Sequence, residues 1–239
     1  MENSVYIGLS QQTAMRRQLD VIANNLANIN TTAFKGEKML FREYLVKPQG
    51  GKPLSFVEDY GALRDTSEGK LETTNNPYDV AIEGPGYLTV NTPAGQRYTR
   101  NGHLRIDSTG QLISADGYPV LDKRSQPITI NPTGGQPTIA LDGTISNKTG
   151  TVAQLNLVQF NDEQSLQQTG SGLYNTDQAP VPTTKTTVQQ GMIESSNVEP
   201  ITEMTKMIEL QRNYEATQNL IQADDDRQTK SIQSLAKFN

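Results

Sequence analysis

Cysteine and tryptophan are absent from the 239 residues, and histidine occurs once, as His103. Without cysteine there is no disulfide, no thiol nucleophile and no cysteine-held zinc. A single histidine leaves a transition-metal site without a second imidazole, so His103 reads as a structural or exposed side chain. A Ser–His–Asp triad would have to use it, and no nucleophile elbow stands in the sequence. The balance of 21 Lys and Arg against 26 Asp and Glu gives a formal net charge of -5. The basic footprint of a nucleic-acid binder is therefore missing. No apolar run approaches the roughly 20 residues of a membrane helix, which argues against membrane insertion. A cleavable secretory leader is not expected either. Glu2 sits where such a leader is positive, and Arg16-Arg17 lead into Gln18, Leu19 and Asp20 rather than an apolar stretch. Taken alone this predicts a cytoplasmic protein, unless the chain leaves the cell by a route that cleaves no signal.

What the sequence does have is a helical pattern at each end. Val5, Met15, Leu19, Ile22, Leu26 and Ile29 fall in one register of alternating three- and four-residue steps, which Gly8 and Gln12 complete. That spacing makes one stripe along a helix at close to the coiled-coil period. Asn28, Asn30, Thr31 and Thr32 end it, because their side chains bond their own backbone and favour turns. From Asn197 onward a second pattern begins. Met207, Leu210, Tyr214, Thr217 and Ile221 keep the same spacing, and Ile232 and Leu235 resume it. No Gly or Pro follows Pro200, so propensity agrees with period. Ser195-Ser196-Asn197 supply N-cap candidates. The two ends read as one helical module with the rest of the chain inserted between them. The pattern alone fits an ordinary antiparallel helix pair equally well.

Between the ends, residues 36–75 read as an extended connector, broken by Lys47-Pro48-Gln49-Gly50-Gly51-Lys52-Pro53. Residues 76–194 hold short strand-like runs such as Val80-Ala81-Ile82, Tyr87-Leu88-Thr89-Val90 and Leu155-Asn156-Leu157-Val158, punctuated by turn residues. Asn101-Gly102 is the strongest hairpin signal among them. The expected fold is α+β: terminal helices (1–35 and 195–239) paired as a coiled coil, with an inserted antiparallel β-domain.

The remaining candidate chemistry is weak. Asp224-Asp225-Asp226 lie on a helix and point in different directions, so they do not converge on one ion. Gly84-Pro85-Gly86 is no dinucleotide fingerprint, since no helix pattern follows it. A glycosidase needs only two carboxylates, and nothing here picks out a pair. No catalytic residue, cofactor or metal is expected.

Val21 to Lys35, reading VIANNLANINTTAFK, closely resembles the N-terminal signature of the bacterial flagellar rod and hook proteins. The blocks from Asn76 to Leu121 and from Gln190 to Gln218 resemble the central and C-terminal signatures of that family, in the right order. The residues that carry the likeness are Asn24, Asn25, Leu26, Asn28, Asn30, Thr31, Phe34 and Lys35 at the front, and Asn197 and Val198 at the back. Within the family the short chain and its opening residues look most like proximal-rod members, with distal-rod members the nearest rival. Ala33 stands where the family commonly has glycine, and the expectation is that this chain does not use a left-handed residue there.

The resemblance implies a structural subunit of the basal-body rod that transmits torque across the periplasm. It implies export through the flagellar type III apparatus without a cleaved signal. It implies helical assembly with its own copies and with other rod proteins, proximal and distal, the helices forming an inner layer and the β-domain an outer one. The seam residues Val5, Met15, Leu19, Ile22, Leu26, Ile29, Met207, Leu210, Tyr214, Ile221, Ile232 and Leu235 are then the expected assembly interface. The competing reading from another class is a secreted β-rich binding module or adhesin with oligomerising helices.

Overall fold

Helix α1 runs from Glu2 to Ala27 and helix α2 from Pro200 to Ala236 in a computed structural model of the chain. The structure describes residues 2–46, 54–131, 134–183 and 185–236, with the side chains of residues 2–4, 54, 58, 59 and 234–236 outside the description. The chain divides into two compact units. One holds Met1–Ala27, Glu37–Asp65 and Glu199–Asn239; the other holds Asn28–Gly36 and Thr66–Val198.

In the first unit the two helices run antiparallel. A side-chain carbon built on Gly8 would stand 3.0 Å from Ile221, and near the other end Asn25 bonds Glu203. On α2 the less exposed positions are Glu203, Met207, Leu210, Tyr214, Thr217, Ile221, Asp224 and Gln228. Their spacing is a sustained alternation of four and three, which lines them up along one face of the helix. Ile22 and Leu210 are buried, each contributing about 1.5–3 kcal/mol through removal from water.

Ile232, expected in the seam, is 67% exposed. Two causes act together. The register that includes Asp224 and Gln228 passes next through Ser231, one residue short of Ile232. In addition, the Gly8–Ile221 pairing brings the start of α1 level with about Arg227, so α2 continues past the end of its partner. The side chain of Leu235 lies outside the described residues.

Within the stretch read as an extended connector, residues 37–46 and 54–64 form paired strands, and the breaker cluster 47–53 lies outside the described residues. Glu37–Val46 (β1) pairs antiparallel with Leu54–Arg64 (β2) from Glu37↔Arg64 to Val46↔Leu54. A bulge at Leu40/Phe41 sits opposite Gly61, whose φ of 126 suits only glycine. This hairpin packs on α1, where the Ser10 hydroxyl donates to the Val57 carbonyl at 3.0 Å and accepts from its N–H at 3.2 Å.

The second unit is the antiparallel β-region. Its largest sheet has six strands in the order 167–170, 173–175, 95–99, 87–92, 157–159, 181–182. The strand Tyr87–Thr92 alternates its side chains between two separate cores. Leu88 and Val90 enter an aliphatic core with Val80, Ile82, Leu104 and Leu112. Tyr87 enters an aromatic one with Tyr98, Phe160 and Tyr174, where Tyr98 and Phe160 meet edge to face at 4.7 Å.

The structure departs from the sequence pattern at three local points. Asn101-Gly102 makes no hairpin: strand 95–99 pairs with 87–92 and 173–175, and strand 104–106 pairs with 112–114. Gly102 is needed for close approach instead, since a side-chain carbon there would fall 1.7 Å from the Val80 carbonyl oxygen. Ser195-Ser196-Asn197 do not cap α2, which starts at Pro200 with the Glu199 carbonyl accepting the Glu203 N–H at 3.0 Å. Ala33 is left-handed after all, at φ 57. That conformation costs an alanine on the order of 1 kcal/mol, and burial of its methyl group offsets about 0.8 kcal/mol of it. These two terms nearly cancel, so Ala33→Gly is expected to change unfolding free energy by less than about 1 kcal/mol. Ala33→Val puts a β-branched residue in the same buried, left-handed position and is expected to lose at least about 2 kcal/mol in urea unfolding.

Candidate functional site

The turn after α1 sets the geometry. Thr31 N–H bonds the Asn28 carbonyl at 3.1 Å and Phe34 N–H bonds the Thr31 carbonyl at 3.2 Å, as short polar side chains after a helix favour. The left-handed Ala33 then aims its N–H at the Glu194 carbonyl, 2.8 Å away, and the Phe34 carbonyl accepts from Asn197 N–H at 3.2 Å. Gly36 N–H donates to Asn197 Oδ1 at 2.8 Å. The tail of the N-terminal motif is thereby laid beside the entry of the C-terminal one.

At the centre lies the carboxylate of Glu194, with a side chain 1% exposed. Its Oε1 accepts from Lys35 Nζ at 2.6 Å and from Gly69 N–H at 2.9 Å. Its Oε2 accepts from Arg100 Nε at 2.9 Å. Lys35 Nζ also donates to the Ser67 carbonyl at 2.7 Å. The rest of the Arg100 guanidinium is used on carbonyls: Gly84 at 2.9 Å, Gly86 at 3.1 Å and Ile82 at 3.0 Å. Gly69 reaches the carboxylate only because it is glycine: a side-chain carbon there would stand 1.9 Å from the Ser195 carbonyl oxygen.

Burial pushes the Glu194 carboxyl up, but the charges of Arg100 and Lys35 and their hydrogen bonds outweigh it, so its pKa lies below the ordinary glutamate value. Burial lowers Lys35, which Glu194 only partly counters, and Arg100 lowers it further. Two cations thus share one carboxylate, with the half-exposed Glu68 3.8 Å from Arg100 as a second, weaker counter-charge. This set ties three stretches of chain, 33–36, 67–69 and 194–197, to Arg100 at the end of a core strand.

The first unit has its own tie. Asn25, 4% exposed, holds both backbone groups of Glu37, accepting from its N–H and donating to its carbonyl, each at 2.9 Å. Its amide also donates to Glu203 at 3.2 Å, and Glu203 in turn pairs with Lys206 at 2.6 Å. One side chain therefore joins α1, β1 and α2.

The motif residues separate cleanly by role. Asn25, Phe34 and Lys35 are buried, Leu26, Asn28, Asn197 and Val198 half-buried, and Asn24, Asn30 and Thr31 exposed. Of the seam residues, Val5, Met15, Leu19, Leu26, Ile29, Met207, Tyr214 and Ile221 are half-buried. His103 is half-exposed and pairs with Asp79 at 2.9 Å. Glu194 and Arg100 were not singled out from sequence. The available signal was a lone charge after Met192-Ile193 in the case of Glu194, while Arg100, three residues after Arg97 in Arg97-Tyr98-Thr99-Arg100, carries no such mark. The meaning of both charges depends on contacts across 94 and 159 residues of chain.

Comparison with known proteins places the chain. Residues 6–35 match the family described as flagella basal body rod protein. Residues 81–147 match the flagellar hook protein FlgE/F/G D1 domain, and 189–234 the flagellar basal body rod FlgEFG protein C-terminal family. Lys35, Arg100 and Glu194 fall one in each of these segments. The chain belongs to the flagellar basal-body rod protein family. Among its relatives it is similar to the basal-body rod protein FlgF of Caulobacter vibrioides, 39% identical over 100% of both chains. It is also similar to FlgF of Escherichia coli, 31% identical over 99% of both. FlgG of Bacillus subtilis is 32% identical over 95% of this chain and 96% of its own.

Glu194→Gln keeps the shape but leaves two buried cations without their counter-charge. It is expected to cost about 3–5 kcal/mol in chemical denaturation, as breaking a buried pair does. The acid limb carries the same signature. The folded pKa of Glu194 lies below its unfolded value, so its stabilisation is complete above the unfolded value and is lost as pH falls through the folded one. The wild-type chain is expected to lose this contribution below about pH 4.3, the ordinary glutamate range. A Glu194→Gln chain is expected to lack that step.

Proposed function

We propose that this chain is a non-enzymatic structural subunit of the flagellar rod, in its proximal segment. It leaves the cytoplasm through the flagellar type III apparatus without a cleaved signal, and assembles in the periplasm with its own copies and with other proximal- and distal-rod subunits. The observation that carries this reading is the likeness to FlgF along the entire chain, 39% identical with nothing of either sequence left over. The heptad-spaced seam of α2 supports a coiled-coil pairing of the terminal helices as the inner layer of the rod. The β-region, residues 76–194, supplies the outer layer in this reading. The seam residues Val5, Met15, Leu19, Ile22, Leu26, Met207, Leu210, Tyr214 and Ile221 serve assembly by holding α1 and α2 as the rigid pair that neighbours recognise.

Such a part has a mechanical task. It must pass torsional load without letting chain segments slide. Buried, fully hydrogen-bonded charge on Glu194 and the Asn25 amide bridge suit that task better than apolar contacts, because they are directional. Head-to-tail contacts that do not close build helical assemblies, which distinguishes this role from an adhesin with a closed oligomer.

An in-frame deletion is expected to abolish motility, with isolated basal bodies that stop short of a finished rod in electron micrographs. Ile22→Asp puts a charge in the buried seam and is expected to fail to restore motility, while the β-region stays folded by circular dichroism. Complete rods in the deletion strain would overturn the reading, and the length of the arrested rod separates a proximal from a distal place.

A further inference from the structure

A recess of about 390 Å³ opens on the β-region between the turns at 122–126 and 140–144, the stretch 154–157 and the end of strand Val181–Pro182. Pockets that hold small molecules begin near this size. Its floor is apolar: Leu155 and Leu157 are 0% and 8% exposed, and Pro182 stands beside them. Two charges of opposite sign also line it, Lys123 and Asp142, and each is set by its own turn. The Lys123 N–H donates to the Gln154 carbonyl at 3.2 Å, and the neighbouring Asp122 carboxylate accepts the N–H groups of Arg124 and Gln126, each at 2.8 Å. The Asp142 carboxylate accepts the Thr144 N–H at 3.0 Å and the Thr144 hydroxyl at 2.8 Å, and the Gln154 amide donates to the Asp142 carbonyl at 2.9 Å. Gly143 carries this turn over the floor: its φ is 78, its carbonyl accepts the Leu155 N–H at 2.9 Å, and a side-chain carbon on it would stand 3.2 Å from Leu155.

The hydrogen bonds from Thr144 and the nearby charge of Lys123 hold the Asp142 carboxyl below the ordinary aspartate range, so it is an oriented anion. Lys123 is near enough to act on it, yet its ammonium joins no ion pair among the described residues. This pattern selects a ligand. A molecule with one charge meets a like charge in the recess whichever sign it bears, and a neutral one covers two charges it cannot compensate. A small zwitterion satisfies both and leaves the apolar floor for a short side chain. The half-buried Asn156 and Thr183 add an amide and a hydroxyl at the margin. We propose that this recess binds a zwitterion of amino-acid size, a free amino acid or the end of a short peptide, with its carboxylate on Lys123 and its ammonium on Asp142. The site shares no residue with the ion set at Glu194, and it stands whether or not the rod reading holds.

The test is a titration of the complete chain followed by amide NMR, with alanine, alanyl-alanine, N-acetylalanine and alaninamide as probes. Alanine or the dipeptide is expected to shift the amides of residues 122–124, 142–144 and 154–157 until they saturate. The singly charged N-acetylalanine and alaninamide are expected to bind at least about tenfold more weakly. Tighter binding of alanine assigns the recess to free amino acids, and tighter binding of the dipeptide assigns it to peptide ends. Lys123→Met removes the cation from an exposed position, and Asp142→Asn keeps the oxygen that caps the turn, so both variants are expected to leave the rest of the amide spectrum unchanged. Each is expected to weaken the preferred zwitterion at least about tenfold, with opposite consequences for the other probes. Alaninamide then binds as well as the zwitterion to Lys123→Met, and N-acetylalanine does so to Asp142→Asn. Singly charged probes that bind the wild-type chain as tightly as the zwitterions overturn the proposal. So does a wild-type spectrum in which these amides do not move with either zwitterion.

Discussion

A single carboxylate, that of Glu194, fixes the path of the chain in the β-unit. It is buried, it is met by Lys35, Arg100 and the Gly69 N–H, and it lies at the end of the strand that leads towards α2. An isolated charge so placed would cost many kcal/mol. Here two cations and a backbone donor compensate it, and each cation is in turn held by carbonyl oxygens. Such a site has one arrangement of low energy, because displacement of any member strands the others. A buried ionic set adds little net stability over a well-packed apolar one, so what it supplies here is a single geometry for the chain segments that meet at Glu194.

The same logic appears in the helical unit in uncharged form. The Asn25 amide takes both backbone groups of Glu37 and reaches Glu203, so the end of α1, the start of β1 and the first turn of α2 are held by one side chain. Along the rest of the pair the contact is apolar and thin. Gly8 against Ile221 lets the helices approach closely, and Asp224 and Gln228 continue the seam in polar form, joined to each other by a hydrogen bond. A seam of this kind specifies register without making a large dry core.

The sequence carried the periodic features well and the convergent ones poorly. Both helices and the antiparallel β-region were legible, because period is a local property. The strand pair 37–46 and 54–64 reads as a connector in sequence because its apolar residues, Leu40, Phe41, Tyr44 and Tyr60 among them, give no clean alternation, and in the structure they remain exposed. Asn101-Gly102 misled because a glycine needed for close approach to Val80 looks the same as one needed for a turn. The left-handed Ala33 escaped notice because its cost is offset by a buried methyl group rather than avoided. The ion set was out of reach from one sequence: Lys35, Arg100 and Glu194 are ordinary charges until the fold brings them within 3 Å of each other's partners.

The most direct test of this account is hydrogen exchange at the Gly69 and Ala33 amides. Gly69 lies outside any strand and donates to the Glu194 carboxylate, while Ala33 follows a turn and donates to the Glu194 carbonyl. If the buried carboxylate fixes this region, both amides exchange as slowly as those of the central strand Tyr87–Thr92, through global unfolding. If they exchange at the rate of an open loop while that strand stays protected, the ion set is an ornament on a fold held by its two hydrophobic cores, and the account is wrong.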